Sequence, residues 1–198
     1  GNHFIEIGYV DEISDEKLAG EFGLKPGMVT VLIHTGSRGF GHQICTDYTS
    51  ILARAAEKMG LEMISKGLAY APIASPEGQN YLKAMACAVN FAFANRQLIT
   101  HDVRQAFGQV FSCDPRELEM GIVYDVAHNI AKWETHDGRR LLVHRKGATR
   151  ALCAGHPDNP RRYARTGHPA IIPGSMGSSS YVVVGTDLAA ETFYSVNH

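Results

Sequence analysis

Three histidines, His3, His34 and His128, each lie at an end of an apolar, strand-like run. Beside them stand small or amide residues: Asn2, Thr35-Gly36 and Asn129. Imidazoles at strand ends can converge on a metal ion, but separations of 31 and 94 residues carry no geometry, unlike an H-E-x-x-H pair. For a single histidine a hydrogen-bonded structural role is the commoner outcome. His42, His101, His136, His144 and His156 keep that reading, and His168, ahead of Pro169-Ala-Ile-Ile172, suits a pocket edge. Glycines 36, 39 and 41 in His34-Thr-Gly-Ser-Arg-Gly-Phe-Gly-His42 would let the backbone approach an anion and aim amide N–H groups at it, or simply make a tight turn. Ser175, Ser178, Ser179 and Ser180 offer hydroxyls, yet Met176-Gly177 after Gly174-Ser175 breaks the G-x-S-x-G pattern, which excludes a serine hydrolase of that type. No G-x-x-x-x-G-K-[ST] phosphate loop occurs either.

These residues need a scaffold. His3–Val10 and Val29–Ile33 read as strands, the second feeding the glycine stretch. Ile44, Tyr48, Ile51, Leu52, Ala55 and Met59 then fall on one helical face, with Gly60 placed to end it. Pro76–Phe111 reads as helix, apolar on all sides from Ala84 to Ala94 and so expected to be buried, with Cys87 in the core. After Pro115 the pattern turns to strands: Gly121–Val126, then Ile130–Thr135 and Arg140–His144, joined by a hairpin at Asp137-Gly138. Ile171 to Gly185 reads as strand, glycine-serine loop, strand. The fold class is α+β, mixed β-sheets with packed helices, and no repeat or linker divides residues 1–198.

Composition narrows the function. The chain has 198 residues, 44% of them hydrophobic, enough for one compact domain. Its most apolar stretch, Ala84–Ala94, is broken by Asn90 and too short to span a bilayer, so no membrane partner is expected. The formal net charge of -1 conceals an asymmetry: Arg139–Arg165 holds eight Lys or Arg against one acid, Asp158. That segment suits phosphate or nucleic acid, with a solvated basic hairpin as the plain alternative. The scattered cysteines, Cys45, Cys87, Cys113 and Cys153, form no C-x-x-C pair, which fits reduced thiols and a cytoplasmic location.

Six blocks taken together resemble the signature of one family. They are Gly1-Asn2-His3-Phe4-Ile5-Glu6, His34–His42, Asp125-Val-Ala-His128-Asn-Ile-Ala-Lys132, His144-Arg-Lys-Gly-Ala-Thr-Arg150, Pro173-Gly-Ser-Met-Gly177 and Phe193-Tyr-Ser-Val-Asn-His198. In this order and at these intervals they resemble the RtcB RNA ligases along the whole chain. The resemblance implies an RtcB-like fold and a GTP- and Mn²⁺-dependent ligase that joins RNA 3′-phosphate or 2′,3′-cyclic phosphate ends to 5′-hydroxyl ends, in tRNA splicing or RNA repair. His3, His34 and His128 would be imidazole ligands of a centre of two Mn²⁺ ions, and His198 would take GMP as a covalent phosphoramidate. Glu6 would hold one ring nitrogen of His198 and aim the other. Asn2, Phe4, Glu6, Asn129, Lys146, Pro173, Gly174, Ser175, Met176 and Ser180 match nucleotide-contacting positions. Arg38 and Asn2 would bind an RNA phosphate.

The implied reaction has three nucleotidyl transfers, after a cyclic end is opened. His198 displaces pyrophosphate from GTP; the RNA 3′-phosphate takes GMP from His198; the 5′-hydroxyl then displaces GMP. RNA is the implied partner, as tRNA halves or cleaved ends, and an archease-type activator assists some members. The chain departs from the pattern in lacking the Asp and Cys ligands that precede the Gly-Asn-His block and the Gly-Ala-Gly-Arg stretch and Lys that follow the guanylylated histidine. None of the four cysteines sits in the missing ligand's motif. The chain thus reads as the central part of one catalytic domain, expected to be inactive alone. Two other readings compete: a noncatalytic RNA- or nucleotide-binding fragment, and a dinuclear metal phosphohydrolase.

Overall fold

A computed structural model describes residues 3–65 and 67–198, and Asn2 lies outside them. The described chain divides into two compact units. One contains Thr35–Cys113 with the residues up to Phe4; the other contains Ile5–His34 and Asp114–His198.

The first unit is a helix pair. Helix α2 runs from Arg38 to Lys58, six residues earlier than Ile44, the first residue of the apolar face, so Gly39 and Gly41 lie in its first turn and not in a loop. Helix α3, Pro76–Phe111, begins as the sequence implies: Ser75 accepts the Gly78 N–H at 3.1 Å and Pro76 occupies the first turn, where no intrahelical N–H is needed. The two pack through Phe40 on Phe91 (ring centroids 5.5 Å) and Tyr48 on Tyr81 (5.4 Å), with Leu52, Ala55 and Ala56 buried. Burial of Ala84–Ala94 does not follow: Phe91 is 47% exposed and Cys87 lies at the surface, because α2 covers only one flank of α3.

The second unit is built from two-stranded antiparallel ladders and a short helix α1, Glu16–Glu21, capped by Asp15. Strand β1 (Phe4–Tyr9) pairs with β2 (Val29–His34). Strands β3 (Asn129–His136) and β4 (Arg139–Lys146) form the hairpin, in register from Asn129↔Lys146 to His136↔Arg139. Its turn has Asp137 at φ 49° and Gly138 at φ 73°, the left-handed pair that a two-residue turn matched to strand twist requires. Strand β5 (Ala148–Arg150) pairs with β8 (Ser195–Asn197), and β6 (Ala170–Ile172) with β7 (Tyr181–Val183) across the glycine-serine loop. The core gathers Leu152, His168, Pro169, Tyr163, Phe22 and Ala170.

Two expectations are corrected here. Gly121–Val126 joins no ladder; the Tyr163 hydroxyl takes the Val123 carbonyl, and Tyr124 stacks on His168 at 4.8 Å. His168 lines no pocket edge, being fully buried with Nδ1 3.1 Å from the Pro169 carbonyl oxygen. Burial pushes its pKa below the usual imidazole value.

Candidate metal centre

Each of three strand ends in the second unit delivers one histidine. His34 is the last residue of β2, His128 immediately precedes β3, and His198 immediately follows β8. One ligand nitrogen from each lies within 4.8 Å of the other two. His34 Nε2 and His128 Nε2 are 3.0 Å apart, so the two nitrogens share either one proton or one cation. Both nitrogens are close enough to hold a single divalent cation. His198 stacks on His128 (4.0 Å, 19°) and stands edge-on to His34 (5.5 Å, 87°). Its Nδ1 is shielded from solvent and has no hydrogen-bond partner among the described residues. Imidazole accepts first-row divalent metals as a class, so the donor set fits Mn²⁺ without selecting it.

Gly147 seats His198. It links β4 to β5 at φ 67°, a conformation that L side chains rarely adopt, and its carbonyl accepts the His198 N–H at 3.3 Å. Its own N–H donates to Asn129 Oδ1 at 3.0 Å, which places Asn129 behind the histidine. Lys146, exposed, is the cross-strand partner of Asn129. Gly147 carries no functional assignment in the sequence reading; a lone glycine between two β segments, marking a bend or close approach, was the available signal.

Glu6 does not meet the unpartnered nitrogen of His198. Its Oε2 accepts from the Ser180 hydroxyl at 3.1 Å, and Ser180 Oγ in turn accepts the Gly174 N–H at 2.9 Å. The carboxylate thereby ties β1 to the loop holding Pro173, Gly174, Ser175 and Met176. Within that loop Ser178 Oγ bonds both Ser175 N (2.9 Å) and Ser175 Oγ (3.0 Å), and Met176 is wholly exposed.

His3, Phe4 and Arg38 belong to the first unit. Desolvation and the neighbouring Arg38 charge both hold the His3 pKa below its usual value. Arg38 itself has φ 52°, a strained conformation for a non-glycine residue and one that marks functional backbone elsewhere. The segment before it is braced from α3, where Asn95 Nδ2 donates to the Gly36 carbonyl (2.9 Å) and Arg96 to that of Thr35 (3.3 Å).

The basic segment is not uniformly at the surface. Arg145 is 5% exposed and forks onto Glu134, with Nη1 to Oε1 at 2.6 Å and Nη2 to Oε2 at 3.0 Å. Burial alone would raise the Glu134 pKa, but hydrogen bonds from Arg145 and His136 outweigh it and leave the carboxyl below its ordinary value.

The family model described as tRNA-splicing ligase RtcB matches residues 1–198. Relatives named tRNA-splicing ligase RtcB are 54% identical in Methanococcus maripaludis and 53% in Archaeoglobus fulgidus. Each alignment covers all of this chain and 42% of the relative. The relative from Methanocaldococcus jannaschii is 53% identical, with 21% of its length covered. The chain therefore belongs to the RtcB family of tRNA-splicing ligases, and it spans about two-fifths or less of the length of these relatives.

Proposed function

We propose that the chain forms part of a GTP- and Mn²⁺-dependent RNA ligase that joins 3′-phosphate or 2′,3′-cyclic phosphate ends to 5′-hydroxyl ends through a guanylylated histidine, acting on RNA in the cytoplasm. The observation that carries this reading is the convergence of His34, His128 and His198 from three strand ends. His34 and His128 would hold metal, and the family resemblance adds His3 to the ligand set. Bound there, Mn²⁺ would supply Lewis-acid neutralisation of phosphate charge. No helix among the described residues is long and apolar enough to cross a membrane.

The chain's own residues do the rest. His198 presents an imidazole nitrogen to the α-phosphorus of GTP, forming a P–N bond as pyrophosphate leaves. The Gly147 carbonyl and the β5–β8 ladder fix its backbone, so the nucleophile needs little reorganisation. Asn129, Lys146 and the Pro173–Ser180 loop offer amide, ammonium and hydroxyl donors to the nucleotide, and Glu6 holds that loop through Ser180. Arg38 offers a fixed fork to an RNA phosphate.

The test is transfer of label from α-³²P GTP with Mn²⁺ in the intact gene product. Label should reach His198 and vanish in His198→Ala; adduct that survives this change would overturn the assignment. Arg38→Ala should spare the adduct and weaken joining. The 198-residue chain alone should take little label, because the resemblance places further ligands outside it. RNA binding that is salt-sensitive yet indifferent to metal would favour the binding-only alternative.

A further inference from the structure

The turn that feeds β8 is strained. Phe193 (φ 52°) and Tyr194 (φ 49°) are consecutive non-glycine residues in the left-handed region, an arrangement that persists only where its surroundings over-determine it. What holds it is the interior of the β3–β4 hairpin. Having gripped Glu134 with two nitrogens, Arg145 turns its remaining donors on this segment: Nη2 to the Phe193 carbonyl at 2.7 Å and Nε to the Ser195 hydroxyl at 2.9 Å. The Ser195 hydroxyl donates in turn to the Phe193 carbonyl at 3.1 Å. The Tyr194 carbonyl accepts the Ala151 N–H at 2.7 Å, and the His136 ring packs on Phe193 at 4.8 Å while its Nε2 donates to Glu134 Oε2. Three residues beyond Ser195 the chain reaches His198.

We propose that the buried Glu134–Arg145 pair is a positioning device for His198. Glu134 orients the guanidinium, the guanidinium clamps the strained turn, and the turn sets where β8 enters its ladder with β5. Ser195 is the third member, converting the charge pair into a hold on the strand itself. Neither Glu134 nor Arg145 approaches the reacting atoms in this assignment; they act through backbone. A planar fork is needed because Arg145 must serve Glu134 and the turn at once, which a lysine ammonium does not do. The inference deepens the reading of His198 as nucleophile and rests on it for its catalytic consequence, but the placement of the ring is testable without that chemistry.

The intact gene product, labelled with ¹⁵N-histidine, gives imidazole resonances for His34, His128 and His198 by NMR. Ser195→Ala removes one Arg145 bond and leaves the ion pair intact, so it avoids the unfolding that Arg145→Lys risks. In both variants the His198 ring signal should broaden or split while His34 and His128 stay within their wild-type line widths. Adduct formation with GTP should slow by at least tenfold at saturating nucleotide, with little change in the half-saturating GTP concentration. Ser195→Thr, which keeps the hydroxyl, should restore both readouts. An unchanged His198 signal in Ser195→Ala would overturn the proposal, as would equal broadening of all three rings, which would mark a general loss of structure. If the wild type forms no adduct, the ligase reading fails and the ring signals alone decide the positioning role.

Discussion

Glu134→Gln separates the stability of the buried charge pair from the seating of His198. The substitution keeps the shape of the side chain but leaves Arg145 without a counter-ion at a site where Glu134 is 6% and Arg145 5% exposed. Removing one partner of such a pair costs about 3–5 kcal/mol, mostly as the penalty of an uncompensated buried charge. The lower end applies, since the amide oxygen still accepts one of the two bonds. For a cooperative unit of roughly 150–250 residues about 3 kcal/mol corresponds to a Tm lower by roughly 6–12 °C, readable by circular dichroism on the intact gene product. Glu134→Leu with Arg145→Met restores volume without charge and should return stability to within about 1–2 kcal/mol of wild type. It cannot restore the bonds to Phe193 and Ser195, so adduct formation at His198 should remain impaired. The Glu134 carboxyl is held below its ordinary value of 4.5. Its contribution is therefore complete above that pH and lost as pH falls through the lower folded value, and Glu134→Gln should flatten that part of the acid transition. A loss under about 1 kcal/mol for Glu134→Gln, or full labelling in the double variant, would refute the reasoning.

Two further predictions concern other parts of the fold. A methyl group on Gly39 meets nothing, whereas one on Gly41 collides with the Ser37 side chain. Gly39→Ala should then stabilise α2 by up to about 1 kcal/mol, while Gly41→Ala should destabilise it by about 1–3 kcal/mol, both measured by urea denaturation; Ser37→Gly in the Gly41→Ala background should recover part of the loss. His168, whose folded pKa lies below 6.5, stays neutral after the unfolded chain has taken up a proton. Its contribution is complete above pH 6.5 and declines as pH falls below it, by at most about 1.4 kcal/mol per pH unit. His168→Gln should reduce the slope of stability against pH between 7.5 and 5.5; an unchanged slope would mean that His168 does not titrate as its burial requires.

What the sequence made legible was local. Alternation about Asp137-Gly138 located the hairpin, and Ser75-Pro76 located the start of α3, because turns and caps are specified by adjacent residues. The histidines at strand ends were legible as candidates, but nothing along the chain says that the ends of β2 and β8, which lie in separate ladders, meet. Helix α2 starts earlier than its apolar face because its first turn, with Gly39 and Gly41, carries no face to read. Gly121–Val126 has strand-like residues, yet the carbonyl of Val123 is taken by a side chain and no strand partner is at hand. Arg145 was counted among surface cations because charge is visible in a sequence and burial is not.

That last point changes how the chain should respond to ions in solution. Affinity for a single-stranded nucleic acid falls with salt by a slope of about 0.7 per phosphate neutralised, since each contact releases condensed counterions. Arg145, sealed against Glu134, releases none, and Arg150, with Nη1 3.9 Å from Glu134 Oε1, has part of its charge already answered. The electrolyte dependence of RNA binding should therefore report a shorter row of phosphate contacts than the count of basic residues from Arg139 to Arg165 suggests. Arg139, Arg140, Lys146, Arg161, Arg162 and Arg165, exposed along the same segment, are the side chains able to contribute to it.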